Sequence, residues 1–377
     1  MTAPFEPPPY PYDRLAGIVA IAGRHDGGAI DLSVGTPCDP PPDLVLAAMA
    51  ASDSERTYPA SAGSLAYREA ASDWMSRRFG ASVDVAHVAA CVGTKEFVTG
   101  LPNLLRLRRP DLDTVLYPSV SYPSYAMGAT LAACRAVAVP VTADWRIDLS
   151  AIDPDDARRA LCLWVNTPGN PTGALDDLGA AAAWGRDHEV PVFSDECYAE
   201  FTWHGAPRSI LEHGTQGLIA VHSLSKRSSL AGARAGFYAG DETLVRYLSE
   251  VRKHQGLMVP GPVQAGGAVA WNDDEHVDVQ RSHYRSRLAS LVELLGRLDV
   301  VAPMPEGAFY LWVPALGGDA WAFAERLAEV AGIVVSPGEF YGQAGAGHVR
   351  VAAVQPDDRL ALVADRIDAA VQSGSVA

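Results

Sequence analysis

Short β-branched and apolar runs alternate along the chain with Ala- and Leu-rich stretches whose apolar residues recur at helical spacing. The runs at 88–92, 114–117, 136–139, 161–166, 190–195 and 218–223 predict strands of a buried parallel sheet. Between and after them, 94–105, 122–133, 175–187 and 241–254 carry helical periodicity. Such succession of strand and helix predicts an α/β domain. A helical stretch at 282–298, strands at 308–313, 333–335 and 349–354, and a helix at 320–330 predict a smaller α+β unit. Val259-Pro-Gly-Pro262 reads as a break between the two. The Pro-rich start, up to Tyr12, predicts an extended segment that is either a loose tail or a cover over a cleft.

A length of 377 residues suits two domains, and 48% apolar with 20% charged residues excludes a disordered chain. The formal net charge of −15 sets the surface against phosphate backbones and anionic membranes, so nucleic acid is excluded as a partner. No apolar run approaches the about 20 residues that span a bilayer, and the first residues lack the pattern of a secretory signal, so no membrane partner is expected. The five cysteines, Cys38, Cys91, Cys134, Cys162 and Cys197, form no CxxC pair, which fits neither a zinc site nor a disulfide framework. A reducing cytoplasm is the expected compartment, and no metal is expected.

Three motifs follow predicted strands. Asn166-Thr-Pro-Gly-Asn-Pro-Thr-Gly173 is a tight non-helical loop at a carboxyl strand end, where open α/β sheets bind ligands; a plain surface turn is the alternative. Phe193-Ser-Asp-Glu-Cys-Tyr198 puts Asp195 at the tip of an apolar run, so it either faces a cation or caps the next helix. His222-Ser-Leu-Ser-Lys226 and the residues up to Gly236 place Lys226 among hydroxyls with Arg227 and Arg234 nearby. An amine so placed is a Schiff-base nucleophile where neighbouring cations or burial lower its pKa, and otherwise a solvated side chain.

The order and spacing of Asn170, Asp195, Tyr198, Lys226 and Arg234 resemble the fold-type I pyridoxal-phosphate enzymes, specifically the class I/II aminotransferases. Flanking motifs extend the likeness over nearly the whole chain: Leu32-Ser-Val-Gly-Thr-Pro37, Tyr58-Pro-Ala-Ser-Ala-Gly63, Gly93-Thr-Lys-Glu96, Tyr122-Pro-Ser-Tyr125, Gly307-Ala-Phe-Tyr-Leu-Trp312 and His348-Val-Arg-Val351. The resemblance implies a large α/β domain with a mostly parallel seven-stranded sheet flanked by helices, at 46–270. It also implies a small α+β domain at 271–377 joined by the segment 1–45.

It further implies pyridoxal 5'-phosphate as cofactor, with Lys226 as the Schiff-base and proton-shuttling lysine and Asp195 facing the pyridine nitrogen. Asn170 and Tyr198 would bond the ring oxygen, and Tyr122 would stack on the ring. Gly93, Thr94 and Lys95 at a helix start, with Ser223, Ser225 and Arg234, would hold the phosphate. Tyr58 matches a position that reaches the neighbouring subunit's phosphate, which implies a homodimer. Gly35 would let substrate approach the backbone, and Arg350 would clamp its α-carboxylate.

Several stretches are closest to actinobacterial N-succinyldiaminopimelate aminotransferases, among them Ser194-Asp-Glu-Cys-Tyr198, His222-Ser-Leu-Ser-Lys226 and Arg252-Lys-His254. Arg227, Ala233 and Gly261 depart from that pattern, where serine, tyrosine and alanine are usual. A substrate with several carboxylates needs a second cation, for which Arg227, Arg252, Lys253 and His254 are candidates; a cationic helix end is the alternative for Arg252 and Lys253. The expected reaction is amino transfer between an amino acid and a 2-oxo acid such as 2-oxoglutarate. The second reading is a specialised-metabolism enzyme that uses the same carbanion chemistry for β- or γ-elimination, replacement or C–C bond formation, on a sulfonium amino acid for example.

Overall fold

Seven strands form the large sheet of the computed structural model, which describes residues 4–372. They are β1 (Val88–Cys91), β2 (Thr114–Pro118), β3 (Arg135–Val139), β4 (Ala160–Asn166), β5 (Val192–Asp195), β6 (Leu218–Ser223) and β7 (Gly236–Gly240). Their order across the sheet is β1-β7-β6-β5-β4-β2-β3. All neighbours are parallel except β7, which runs antiparallel to both β1 and β6. Successive side chains on a strand point to opposite faces, and here both faces are covered. On β6, Leu218 and Ala220 enter one core while Ile219 and Val221 enter the other. On β5, Val192 and Phe193 divide the same way. Central strands therefore read as uninterrupted apolar runs.

The helices begin where their caps dictate. The expected helix at 175–187 is Leu178–Asp187, because the Asp177 carboxylate accepts the Ala180 amide at 2.9 Å. The expected helix at 122–133 is Ser124–Leu131, with Pro123 at its cap, so Tyr122 stands before it. Helix Glu242–His254 starts one residue after Asp241, whose carboxylate accepts the Leu244 amide.

The expected break at Val259–Pro262 is instead the start of a helix, Gly261–Asn272, with Pro260 at the cap and proline in the first turn. Proline lacks only a donor that a first turn leaves unused, so the composition that suggests a break also suits a helix start. Small residues let this helix pack closely: a Cβ on Gly267 would collide with the Tyr67 ring. The long helix expected at 282–298 begins earlier, as Glu275–Gly296.

Two compact units result. The larger comprises Thr36–Arg285 and Pro305–Phe309; the smaller comprises the chain up to Gly35, Ser286–Met304 and the chain from Tyr310 onward. These divisions differ from the expected boundaries at 45/46 and 270/271, and hydrogen bonds show why. Asp39 accepts the Gln280 side chain at 2.8 Å, tying the chain after Gly35 to the larger unit. Residues 305–309 return to that unit because Gly307 donates to the Gly173 carbonyl and Glu306 takes a bidentate contact from Arg146 at 2.8 and 2.9 Å.

Within the smaller unit, Tyr310–Pro314, Ser336–Pro337 and His348–Ala352 form an antiparallel sheet, and Ile30–Asp31 pairs parallel with Ile333–Val334. Residues 4–10 are exposed and have no regular structure, but Pro11–Leu15 is a short 3-10 helix, and the Tyr12 hydroxyl lies 3.0 Å from the Tyr341 hydroxyl.

Leu163 on β4 is fully buried in the core. Leu163→Ala is expected to lower unfolding free energy by about 2–5 kcal/mol, read as a lower midpoint in urea at unchanged slope.

Candidate active site

Parallel strands deliver their carboxyl ends to one edge, and the register of this sheet fixes which residues arrive there. Asn166 at the end of β4 pairs with Asp195 at the end of β5, and Asp195 pairs with Val221 near the end of β6. Antiparallel β7 begins at Gly236, opposite both Ser223 and Cys91. The chain just before β7 and the chain just after β1 therefore reach the same edge. Gly93–Lys95, Asn170, Asp195–Tyr198, Ser223–Lys226 and Arg234 all lie at the strand ends of that edge or in the loops and helix starts next to them, as does Tyr122 after β2.

The Asn166 side chain braces the first loop. It donates to the Asp195 carbonyl at 2.9 Å and accepts the Asn170 amide at 2.8 Å, so the Asn170 loop and the Asp195 turn are fixed relative to each other. Asp195 itself is buried; its carboxylate accepts the Tyr125 hydroxyl at 2.8 Å and the Cys197 amide at 3.2 Å. No arginine or lysine forms an ion pair with it among the described residues. Burial raises its pKa, with the bonds from Cys197 and Tyr125 opposing that shift. A buried carboxylate held ready by two neutral donors suits a cationic partner from outside the chain.

Lys226 sits half-buried in the one-turn helix Leu224–Arg227, entered from β6 through Ser223, whose hydroxyl accepts the Ser225 amide at 3.1 Å. Its Nζ lies 6.0 Å from the centre of the Phe309 ring. Gly93 precedes helix Thr94–Arg108 at φ +74°, and a Cβ there would strike the Arg234 guanidinium. Glycine lets that cation lie against the amide-bearing end of a 15-residue helix. Thr94, half-buried, accepts the Cys197 thiol at 3.3 Å, and the Lys95 Nζ stands 5.7 Å from the Tyr122 ring centre.

Other expected positions fall elsewhere. Tyr58 lies outside this cluster and is 96% exposed on the single protomer. Gly35 and Arg350 belong to the smaller unit. There a Cβ on Gly35 would run into the Tyr310 phenol, so the glycine makes room for that ring. Arg350 is buried; it donates to the Tyr12 hydroxyl at 3.1 Å and to the Ser33 carbonyl, with Tyr310 and Tyr341 rings 4.2 and 4.8 Å from its guanidinium carbon.

Arg227, expected as a substrate contact, is a packed internal cation. Only 2% of it is exposed. Its guanidinium lies over both the Trp74 and Trp271 rings, which contact each other, donates to the Ala270 carbonyl at 2.6 Å and stands 3.7 Å from the buried Glu200 carboxylate. Burial brings its pKa down to about 10, so it remains charged near neutrality. Arg252, nominated for a second carboxylate, is buried too and forms a fork with Glu96 at 2.7 and 2.8 Å. Lys253 and His254 stay exposed. The sequence reading missed Tyr125 and Asn166 as site residues although both stand in motifs it singled out; it passed over Glu200, which no motif marks.

A family model for aminotransferase class I and II matches residues 28–367. The chain belongs to this family. It is 42% identical to a probable aminotransferase of Mycobacterium tuberculosis over 96% of this chain and 85% of that one. It is 38% identical to a 4-dedimethylamino-4-oxo-anhydrotetracycline transaminase of Streptomyces rimosus, over 96% and 99% of the two chains. Among solved structures, a probable N-succinyldiaminopimelate aminotransferase from Thermus thermophilus matches with TM-score 0.85 and 31% identity, over 95% and 99% of the two chains.

The chain is thus an aminotransferase that depends on pyridoxal 5'-phosphate, and its larger unit fits that cofactor. Asp195 offers a buried carboxylate for a protonated ring nitrogen, and the Gly93 helix start with Arg234 offers an anion cradle. No helix among the described residues is long and apolar enough to cross a membrane, and no cluster among them suits a metal ion.

Gly93→Ala adds both a strained φ and a collision with Arg234, and is expected to raise the cofactor Kd about tenfold or more in an absorbance titration. Glu200→Ala strands a buried cation and is expected to cost about 3–5 kcal/mol in urea unfolding. A changed KM at unchanged stability would instead return Arg227 to the substrate's side.

Proposed function

We propose that this chain moves the amino group of an amino acid of the N-succinyldiaminopimelate type to a 2-oxo acid such as 2-oxoglutarate, as a homodimer in the cytoplasm. The observation that carries the reading is the arrival of Lys226 and an Asp195 carboxylate without a cation at one sheet edge. The substrate class takes support from the Thermus structure.

Bound pyridoxal phosphate supplies an electron-poor ring that accepts the charge developing on the substrate α-carbon. The chain's residues do the rest. Asp195 keeps the ring nitrogen protonated, and Tyr125 and the Cys197 amide keep that carboxylate aimed. The Lys226 amine removes the proton from the α-carbon and returns it to the other side of the transfer. Asn170 and Tyr198 would bond the ring oxygen, and Tyr122 would stack on the ring. Gly93, Thr94, Lys95, Ser223, Ser225 and Arg234 would hold the phosphate, joined by Tyr58 from a second copy. Arg350 pairs with the substrate α-carboxylate, beside Gly35.

The burial of Arg227 and Arg252 favours a second reading, in which the distal part of the substrate carries no carboxylate. The Streptomyces relative, named for a tetracycline-type ketone, makes a polycyclic carbonyl compound the acceptor to try.

Borohydride reduction of the loaded protein is expected to fix the cofactor on the peptide containing Lys226, seen by mass spectrometry, and Lys226→Ala to abolish turnover. Arg350→Ala is expected to raise KM for amino donors about tenfold or more. A half-reaction screen of N-succinyldiaminopimelate and glutamate as donors, with a polycyclic ketone as acceptor, decides between the readings. Conversion by none of them rejects both.

A further inference from the structure

At the C-terminal end of the turn that bears Lys226, three side chains form a hydrogen-bonded chain that the reaction described above does not use. The Ser228 hydroxyl lies 2.8 Å from His276 Nε2, and His276 Nδ1 lies 2.7 Å from Asp273 Oδ2. Asp273 Oδ1 also accepts the Glu275 amide at 3.1 Å, which fixes that carboxylate at the head of helix Glu275–Gly296. Ser228 is the C-cap of the turn bearing Lys226, and Ser229 after it adopts φ +52°. Arg227 adds a second strut: Nη1 donates to the Ala270 carbonyl and, at 3.3 Å, to the Ser228 hydroxyl, and Nη2 reaches the Asp273 carbonyl at 3.4 Å. All of these residues belong to the larger unit.

The donor inventory assigns each proton. A carboxylate only accepts, so His276 carries its proton on Nδ1, and Nε2 presents a lone pair to the Ser228 O–H. Ser228 in turn accepts from Arg227. Each donor in the chain then meets an acceptor. We propose that Asp273, His276 and Ser228 form a relay that fixes the turn bearing Lys226, with His276 a positioning residue for amino transfer. This rests on Lys226 being the reacting amine.

Adding a proton to His276 breaks the relay. An N–H then points at the Ser228 oxygen, the serine proton loses its acceptor, and a second positive charge stands beside Arg227. Arg227 and Ser228 from the Lys226 turn, Asp273 from the preceding loop and Glu200 from the turn after Tyr198 are the groups that face the ring. Glu275, His283 and Asp39 line the same cavity of about 410 Å³. Burial, followed by the Arg227 charge, lowers the His276 pKa below its ordinary value, so the relay holds at neutral pH and fails as pH falls through that lowered value.

The test is a pH titration of the visible absorbance of protein loaded with pyridoxal 5'-phosphate, for wild type, His276→Gln, His276→Asn and Lys226→Ala. Gln keeps an acceptor near Ser228, whereas Asn keeps only the link to Asp273. His276→Asn is expected to shift the midpoint by about half a pH unit or more, while His276→Gln stays with wild type and loses any acid-side step due to the histidine. Where His276→Asn does not fold, Ser228→Ala cuts the same link. Superimposable titrations for wild type and the cut variant, or an acid-side step that persists in His276→Gln, overturn the relay. A wild type whose spectrum matches that of Lys226→Ala overturns the Lys226 reading itself, and the relay with it.

Discussion

A carboxylate buried at the tip of a central strand is the constraint around which the larger unit is organised. Asp195 sits where solvent does not reach it, and the fold surrounds it with neutral donors rather than a cation. Burial raises its pKa. In the proposed function a protonated heterocycle would supply the missing cation. The neighbouring strand ends then present the hydroxyls, amides and amine that the rest of that molecule requires.

The two arginines that follow Lys226 in sequence have opposite fates. Arg227 is drawn inward, over two indole rings and near Glu200, while exposed Arg234 lies against Gly93. One cation therefore packs inside the unit beside the reactive turn, while the other lies at the start of helix Thr94–Arg108, where the proposed function puts a phosphate. A serine at position 227 could not reach the Ala270 carbonyl or cover the Trp74 and Trp271 rings. The departure from the family's usual residue thus belongs to the packing beside the turn.

Much of this was legible in the chain. Apolar runs ending in Asn166, Asp195 and Ser223 showed the strands, and the parallel topology that follows from intervening helices already places their ends together. Antiparallel β7 was not legible, because the glycines at both ends of Gly236–Gly240 blur the pattern of a strand. Arg227 was misread for another reason: a charge beside a reactive lysine looks functional until the buried partner, Glu200, is seen, and that partner lies 27 residues away with no motif around it. Proline at 260 and 262 was ambiguous on principle, since helix starts and chain breaks share that residue. Arg350 lies in a strand of the smaller unit as its apolar neighbours predict, but its tyrosine surroundings come from distant positions that no local pattern connects.

Residues 305–309 leave the smaller unit only to bond with the loop after β4 and then depart again. A cut at the 285/286 division would accordingly strip the larger unit of Glu306, leaving Arg146 without its bidentate carboxylate and the Gly173 carbonyl without its donor. Neither body is a cassette that recombination could lift out whole, and engineered swaps between relatives must carry this five-residue stitch along with the sheet it fastens.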